Sequence, residues 1–277
     1  MEASVGTLLR AWRQRRHLSQ LEVATGAGVS ARHLSFIETG RARPSREMVL
    51  YLAEHLDVPL RERNTLLLSA GFAPTYRETD LAAPEMRAVR DALDRVLAAH
   101  EPYPALVVDR RWNLVTANRA TMMLLDGVDA ALLVPPVSVL RLSLAPSGMA
   151  PRIANLGEWA EHLLSRLRRQ VLLTGDEELA ALEAELRRYP GIPAARHGHE
   201  GPGEIAVPLR LRTAAGGELR LLSTVATFGT AVDITVAELS IEAFFPADAA
   251  TTAALRDGAE GRGGDGDHGP ERRPVAQ

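Results

Sequence analysis

Along the N-terminal part of the chain, apolar residues recur with the period of a helix. Val5, Leu8, Leu9 and Trp12 sit at i, i+3, i+4 and i+7 and predict a first helix ending near His17. Ser19 stands three residues before Glu22, the spacing of a capping box, and opens a second helix. Ser30 opens a third, running to about Thr39 with Leu34 and Ile37 inward, and Gly40 ends it. Ser45 starts a fourth helix with Met48, Val49, Leu52 and Leu56 inward; Pro59 starts a fifth that passes through Leu66, Leu67 and Ala70 and stops at Gly71. Gly71, Pro74, Tyr76, Thr79 and Pro84 then compose a linker. Beyond it Met86, Val89, Leu93, Val96 and Leu97 form one stripe, with Asp91 four residues before Arg95. This predicts an amphipathic helix to about His100, which either docks on the following domain or pairs with its copy in a dimer.

From Pro104 the period changes. Ala105 to Asp109 and Trp112 to Ala117 read as strands joined by a turn at Arg110 and Arg111, and Asn118 starts a helix through Met122, Leu124 and Leu125. Glu158 to Gln170 and Asp176 to Tyr189 are amphipathic helices, the first with Trp159, Leu163, Leu164 and Leu167 on one face. Strands return at Glu204 to Arg212, Glu218 to Phe228 and Asp233 to Phe244, the first two joined by a hairpin turn at Gly216 and Gly217. The expected fold is an all-α five-helix helix-turn-helix domain (1–71), a linker and connecting helix (72–100), and an α+β PAS-like domain with an antiparallel sheet (101–256). A tail (257–277), rich in Gly, Asp, Glu and Arg, is expected to be disordered.

The helix-turn-helix expectation rests on spacing. Counting Gln20 as the first position, Ala24 is the fifth and Gly28 the ninth, with Val23, Ala27, Val29, Leu34 and Ile37 apolar. Ala24 is small where two helices cross, Gly28 allows the positive φ of a tight turn, and the apolar set wedges the helices together. The outward face of the third helix is then free for a DNA major groove. Its candidate readers are Ser30, Ala31, Arg32, Ser35 and Phe36: Arg32 to guanine, and Phe36 or Ala31 to a thymine methyl. Phe36 is either exposed for that purpose or partly buried against the fourth helix. Gln20, at a helix N-terminus, and Arg41 and Arg43, in the following loop, are candidate phosphate contacts. Glu38 and Arg13 are candidates for an ion pair fastening the third helix to the first, and His33 for a neutral flank.

Charge sharpens this picture. The 277-residue chain has a net charge of -3, yet residues 1–77 hold 11 Arg against 7 Asp and Glu, a basic module that suits a polyanion. Every cation among the Lys and Arg is arginine, the residue best suited to phosphate. With no cysteine, disulfides and thiolate chemistry are excluded. No apolar run reaches the ~20 residues of a membrane span and no signal peptide is visible, so a cytoplasmic protein without membrane insertion is expected.

Catalytic signatures are weak. His197, His199 and Glu200 lie in a Gly/Pro-rich loop without a helix to fix metal geometry. No nucleophile elbow, P-loop or dinucleotide fingerprint occurs, and nothing beyond the presence of His100 or His162 points to haem. The expectation is a non-enzyme with no catalytic residue, metal or cofactor.

Helix order, the motif and the segment Glu38 to Ser45 resemble the phage-repressor-like, or XRE-family, DNA-binding domain over residues 4 to 71. The words EPYPALVVDRRWNLVTAN, RLSLAPSGMAPRIANLGEW and STVATFGTAVDITVAELSIEAFFPAD resemble the ligand-binding domain of MmyB-like regulators over residues 95 to 255. The first resemblance implies a homodimer on a double-stranded DNA operator with half-sites ~34 Å apart. The second implies a PAS-like fold with an interior site for a small apolar effector such as a fatty acid. Large apolar candidates for that site are Trp112, Leu114, Met122, Met123, Met149, Ile153, Trp159, Leu163, Val225, Phe228, Phe244 and Phe245, which equally suit a core. Arg152 and Asn155 are polar among apolar neighbours, Arg152 either pairing with a ligand carboxylate or forming a structural ion pair. The rival reading from another class is an antitoxin-like protein-interaction module with the C-terminal domain as docking platform.

Overall fold

Five helices form where their caps and stripes place them: α1 Val5–Arg15, α2 Gln20–Gly26, α3 Ala31–Glu38, α4 Arg46–His55 and α5 Leu60–Ser69. The computed structural model describes residues 3–194, 207–214 and 216–263. Ser19 accepts from the Glu22 amide while the Glu22 carboxylate accepts from the Ser19 amide at 2.7 Å, completing the capping box. Ser30 and Ser45 cap α3 and α4 from one side, each hydroxyl accepting from the amide three residues on. Leu9, Trp12, Val23, Ala24, Leu34, Ile37, Leu52 and Leu66 meet in one core, so the wedge predicted from the spacing is assembled. Gly28 turns at φ +59. Gly6, which periodicity does not single out, makes the closest approach: a Cβ there would lie 2.2 Å from the Ile37 carbonyl oxygen, so α1 and α3 touch backbone to backbone.

The compact unit built on these helices spans residues 1–83 and also incorporates 170–175 and 229–237. Within it Arg77 and Asp233 bridge in parallel, the Ile234 amide donates to the Arg77 carbonyl at 2.8 Å, and Thr79 Oγ1 donates to Asp233 Oδ2 at 2.6 Å.

The second unit contains α6 Arg87–Ala99 and a five-stranded antiparallel sheet: β1 Ala105–Val108, β2 Leu114–Ala117, β3 Leu209–Arg212, β4 Glu218–Thr227 and β5 Ser240–Pro246. Strand order is β2-β1-β5-β4-β3, with Leu106 opposite both Ala117 and Glu242, and Phe244 opposite Ser223. Between β2 and β3 lie a 3₁₀ helix (Arg119–Leu125, capped by Asn118), α7 Val139–Leu144, α8 Leu156–Thr174 and α9 Glu177–Leu186. The stripe Trp159, Leu163, Leu164 and Leu167 of α8 is buried as its spacing requires. By contrast α7 carries no amphipathic pattern, because Leu140, Leu142, Ser143 and Leu144 are all buried.

Three predicted elements differ from the structure. The strand expected from Asp233 begins only at Ser240: the Asp233 carboxylate accepts from the Thr235 amide at 2.9 Å and starts a short helix, α10 Ile234–Ala237. The segment expected to be disordered from Asp257 is helical as far as Gly263, within α11 Ala249–Gly263. There Asp248 caps the Thr251 amide at 2.7 Å and the apolar Leu255, 3% exposed, is buried. On α6, Asp91 pairs back to Arg87 at 3.8 Å rather than forward to Arg95. Residues 204–206 of the third expected strand, and His197, His199 and Glu200, lie outside the described residues.

A candidate DNA-reading face and an apolar cavity

The first helix-turn-helix feature is a buried anchor. Glu38, its side chain 1% exposed, receives Arg13 through Nε at 2.7 Å and Nη2 at 2.9 Å, the fork-on-carboxylate geometry of a strong pair. Arg13 Nη1 also donates to the Leu18 carbonyl, and Gln20 Nε2 donates to Glu38 Oε2 at 2.8 Å. Burial alone would raise the Glu38 pKa. The bonds from Arg13 and Gln20 outweigh it and hold the carboxyl below its usual range, while Arg13 is held above its own. The predicted Arg13–Glu38 pair is thus present. Gln20, expected as a phosphate grip, instead gives its amide to Glu38 and fixes the start of α2 against the end of α3.

With α3 so fixed, its N-cap Ser30 accepts from the His33 amide at 3.1 Å and stays exposed. Ala31 and Ser35 are half-buried; Ser35 offers its carbonyl to Thr39 at 2.7 Å. Arg32 is exposed, and its guanidinium sits 5.3 Å from the centroid of the half-buried Phe36 ring. Arg41 approaches the same ring at 6.0 Å, so two cations lie near one aromatic ring. Arg43 is exposed, without an ion pair among the described residues. Two arginines around Phe36 were not legible as a group, since Arg41 lies beyond the turn at Gly40 (φ +73), which folds it back.

The second unit contains an apolar cavity of ≈110 Å³. Of the expected residues, Trp112, Leu114, Met122, Met149, Trp159, Leu163 and Phe244 line it. Trp112 holds φ +63, an outlying conformation for a bulky residue. The turn around it is braced by Asp109, whose Oδ1 accepts the Arg111 and Asn113 amides at 2.8 and 2.9 Å. Trp159 Nε1 donates to Ser143 Oγ at 3.0 Å, placing a hydroxyl on the wall.

Several expected residues do not line this cavity, each for a local reason. Arg152 donates to the carbonyls of Asp126 at 2.6 Å and Leu124 at 3.2 Å, a structural clamp on the 3₁₀ segment in place of a ligand contact. Asn155 bridges Pro208 and Arg210 at 2.9 and 3.1 Å, and Ile153 bridges Leu211 through its backbone. Val225 is 43% exposed in the outer half of β4, and Phe228 lies past its end. Met123 lends its carbonyl to Arg152, and Phe245 packs edge-on to His100 at 4.7 Å. Glu242 was missed. It lines the cavity at 5% exposure, and an acid two residues before Phe244, on the same face of a strand, was the available signal. The histidines raised for haem are engaged: His100 Nε2 bonds the Phe244 carbonyl at 2.8 Å, while His162 stacks on Trp159, its pKa lowered by burial and by Arg166.

Residues 89–257 match the MmyB-like transcription regulator ligand binding domain. The chain belongs to the MmyB-like transcription regulators. Residues 4–66 match a helix-turn-helix domain. This MmyB-like regulator is 31% identical over 128 residues to the HTH-type transcriptional repressor RghR of Bacillus subtilis (strain 168), a match covering 44% of this chain and 86% of that one. Among solved structures it is similar to a variant of RsLOV (13% identity, TM-score 0.30, covering 63% of this chain and 78% of that one). It is also similar to an RNA-binding Light-Oxygen-Voltage receptor (16%, TM-score 0.28, 94% and 62%). At those scores neither carries an argument. The MmyB-like regulator is a DNA-binding transcription regulator with a ligand-binding domain. Among its described residues no helix is long and apolar enough to cross a membrane.

Proposed function

We propose that this regulator binds a duplex operator as a cytoplasmic homodimer, reading bases with Arg32 and Phe36 on α3 and holding phosphates with Arg41 and Arg43. A small apolar effector in the cavity adjusts that binding. The observation that carries the DNA reading is the pair of exposed arginines, Arg32 and Arg41, beside the half-buried Phe36 ring of a helix anchored through Glu38. A purely protein-binding module has no need of uncompensated arginines beside a helix free to enter a groove. The likeness to a repressor favours repression as the output.

The effector reading rests on the cavity and on chain continuity. Trp159 and Leu163 of α8 line the cavity, and the end of α8 belongs to the DNA-binding unit; Glu242 and Phe244 of β5 line it, and residues 229–237, just before β5, belong to that unit too. A ligand that displaces either wall therefore acts on segments shared with the DNA-binding unit. At ≈110 Å³ the cavity is below the ~300 to 1,000 Å³ of drug-sized sites, so the effector is small, and a long-chain fatty acid enters only if the walls move apart.

Anisotropy titrations on a panel of operator variants test the DNA reading. Arg32→Ala should relax preference at one base pair, by ~1 to 3 kcal/mol, and Arg43→Ala should weaken all sequences alike and flatten the salt slope by about one. Identical behaviour of the two variants would refute the division between reader and grip, and failure to bind any duplex would favour the protein-interaction module.

A further inference from the structure

The cavity wall is lined by apolar side chains except at Thr121, Ser143 and Glu242, and only Glu242 carries a charge. Glu242 is buried on β5, its Oε1 bonded to Arg166 Nη1 of α8 at 3.0 Å. No other hydrogen bond reaches that carboxylate among the described residues. Arg166 is not itself on the wall. Its guanidinium lies 4.8 Å from the centroid of the Trp112 ring, so its charge is spent on Glu242 and on the outer face of the tryptophan. The Thr121 hydroxyl is occupied, donating to the Ala105 carbonyl at 3.0 Å, whereas Ser143 accepts from Trp159. The wall thus presents a carboxylate and contains no arginine or histidine.

With Oε1 held by Arg166, the other carboxylate oxygen of Glu242 keeps acceptor capacity on the wall that an incoming donor can fill. An incoming carboxylate meets like charge in a low-dielectric space, with no cation on the wall to receive it. The volume resembles that of the ~150 Å³ engineered cavity that takes benzene, which sets the apolar body at about six carbons. On the reading of this cavity as the effector site, we propose that its ligand is a small apolar molecule with a hydrogen-bond-donating head, an amine or an alcohol, received by Glu242, and that carboxylates are disfavoured there.

The test uses the full chain and three probes of equal length: n-hexylamine, n-hexanol and hexanoate. Trp112 and Trp159 on the wall report binding by fluorescence, and calorimetry gives the affinities. The amine should bind best, with hexanoate weaker by at least about tenfold. Glu242→Gln should bring amine and hexanoate to within about threefold of each other, which separates the wall carboxylate from general attraction to an acidic protein. If that variant does not fold, the wild-type series still decides. An alcohol matching the amine supports a donor head and assigns the recognition to the hydrogen bond alone. Hexanoate binding as tightly as the amine overturns the donor class while leaving an effector cavity, whereas absence of binding by all three overturns the effector site and this inference with it.

Discussion

Replacing Glu38 by glutamine tests the anchor at the end of α3. The change keeps shape but turns one carboxylate oxygen into a donor, facing either Arg13 or the Gln20 amide, both of which already donate to it at 2.7 to 2.9 Å. Breaking a buried pair on one side costs about 3 to 5 kcal/mol. The lower end applies here, because Arg13 is 12% exposed and keeps its bond to the Leu18 carbonyl. About 3 kcal/mol in a unit of this size corresponds to a fall of roughly 12 to 24 °C in its melting temperature. Calorimetry of the intact chain should show that transition fall while the transition of the second unit, the sensor domain of the proposed function, holds. Replacing both partners, Arg13→Met with Glu38→Met, should recover most of the loss, since no charge is then left buried. The acid limb gives a second reading. The folded pKa of Glu38 lies below its ordinary 4.5, so its stabilisation is complete above that value and is lost as pH falls through the folded pKa; the glutamine variant should lack this component. A Glu38→Gln shift of less than about 2 °C would mean that the network does not fasten α1, α2 and α3 together.

Three perturbations elsewhere have equally definite directions. Glu185 is held at about 2, chiefly by Arg141 and also by the Tyr189 hydroxyl, so its share of sensor-domain stability persists above pH 4.5 and disappears as pH falls through about 2. Glu185→Gln should flatten the acid unfolding curve of that domain over this window. Gly6→Ala should cost ~1 to 3 kcal/mol in urea denaturation, because its Cβ meets the Ile37 carbonyl oxygen and α1 must lift from α3. Met149→Ala should destabilise the sensor domain by about 2 to 5 kcal/mol and admit longer-chain probes, the lost side chain enlarging the cavity it lines.

The DNA-binding unit was legible because each of its decisions is local. A serine and a glutamate three residues apart specify a cap, and Ala24, Gly28, Leu34 and Ile37 specify the crossing, with no need for distant partners. Even the Arg13–Glu38 pair follows from helix positions. What escaped was lateral choice: Gln20 could face phosphate or Glu38, and only the packed arrangement of α1 and α3 brings the buried carboxylate within its reach. The cavity was less legible for the same reason on a larger scale. Large apolar residues suit a core or a pocket equally, and the five strands are paired in an order set by contacts far apart in sequence. Arg152 and Asn155 looked like ligand contacts because they are polar among apolar neighbours, yet Arg152 satisfies carbonyls at the end of the 3₁₀ segment, and Asn155 satisfies the Pro208 carbonyl and the Arg210 amide of β3. Glu242 was hidden inside a strand whose start had been placed too early.

That misplaced start also bears on how ligand and DNA are linked. Had Asp233 begun a strand, residues 233–237 would have been sheet; instead Asp233 caps α10 with one oxygen and takes Thr79 with the other, at 2.6 Å, inside the DNA-binding unit. The same chain reaches Glu242 on the cavity wall within β5. Asp233→Ala removes the α10 cap, a loss of about 0.5 to 2 kcal/mol, together with the bond from Thr79, and leaves Arg32, Arg41 and Arg43 as they are. Operator affinity without ligand should therefore stay within about twofold of wild type, while the change in affinity on adding n-hexylamine should shrink. Equal ligand responses in variant and wild type would remove residues 229–237 from the link and leave the end of α8 to carry it.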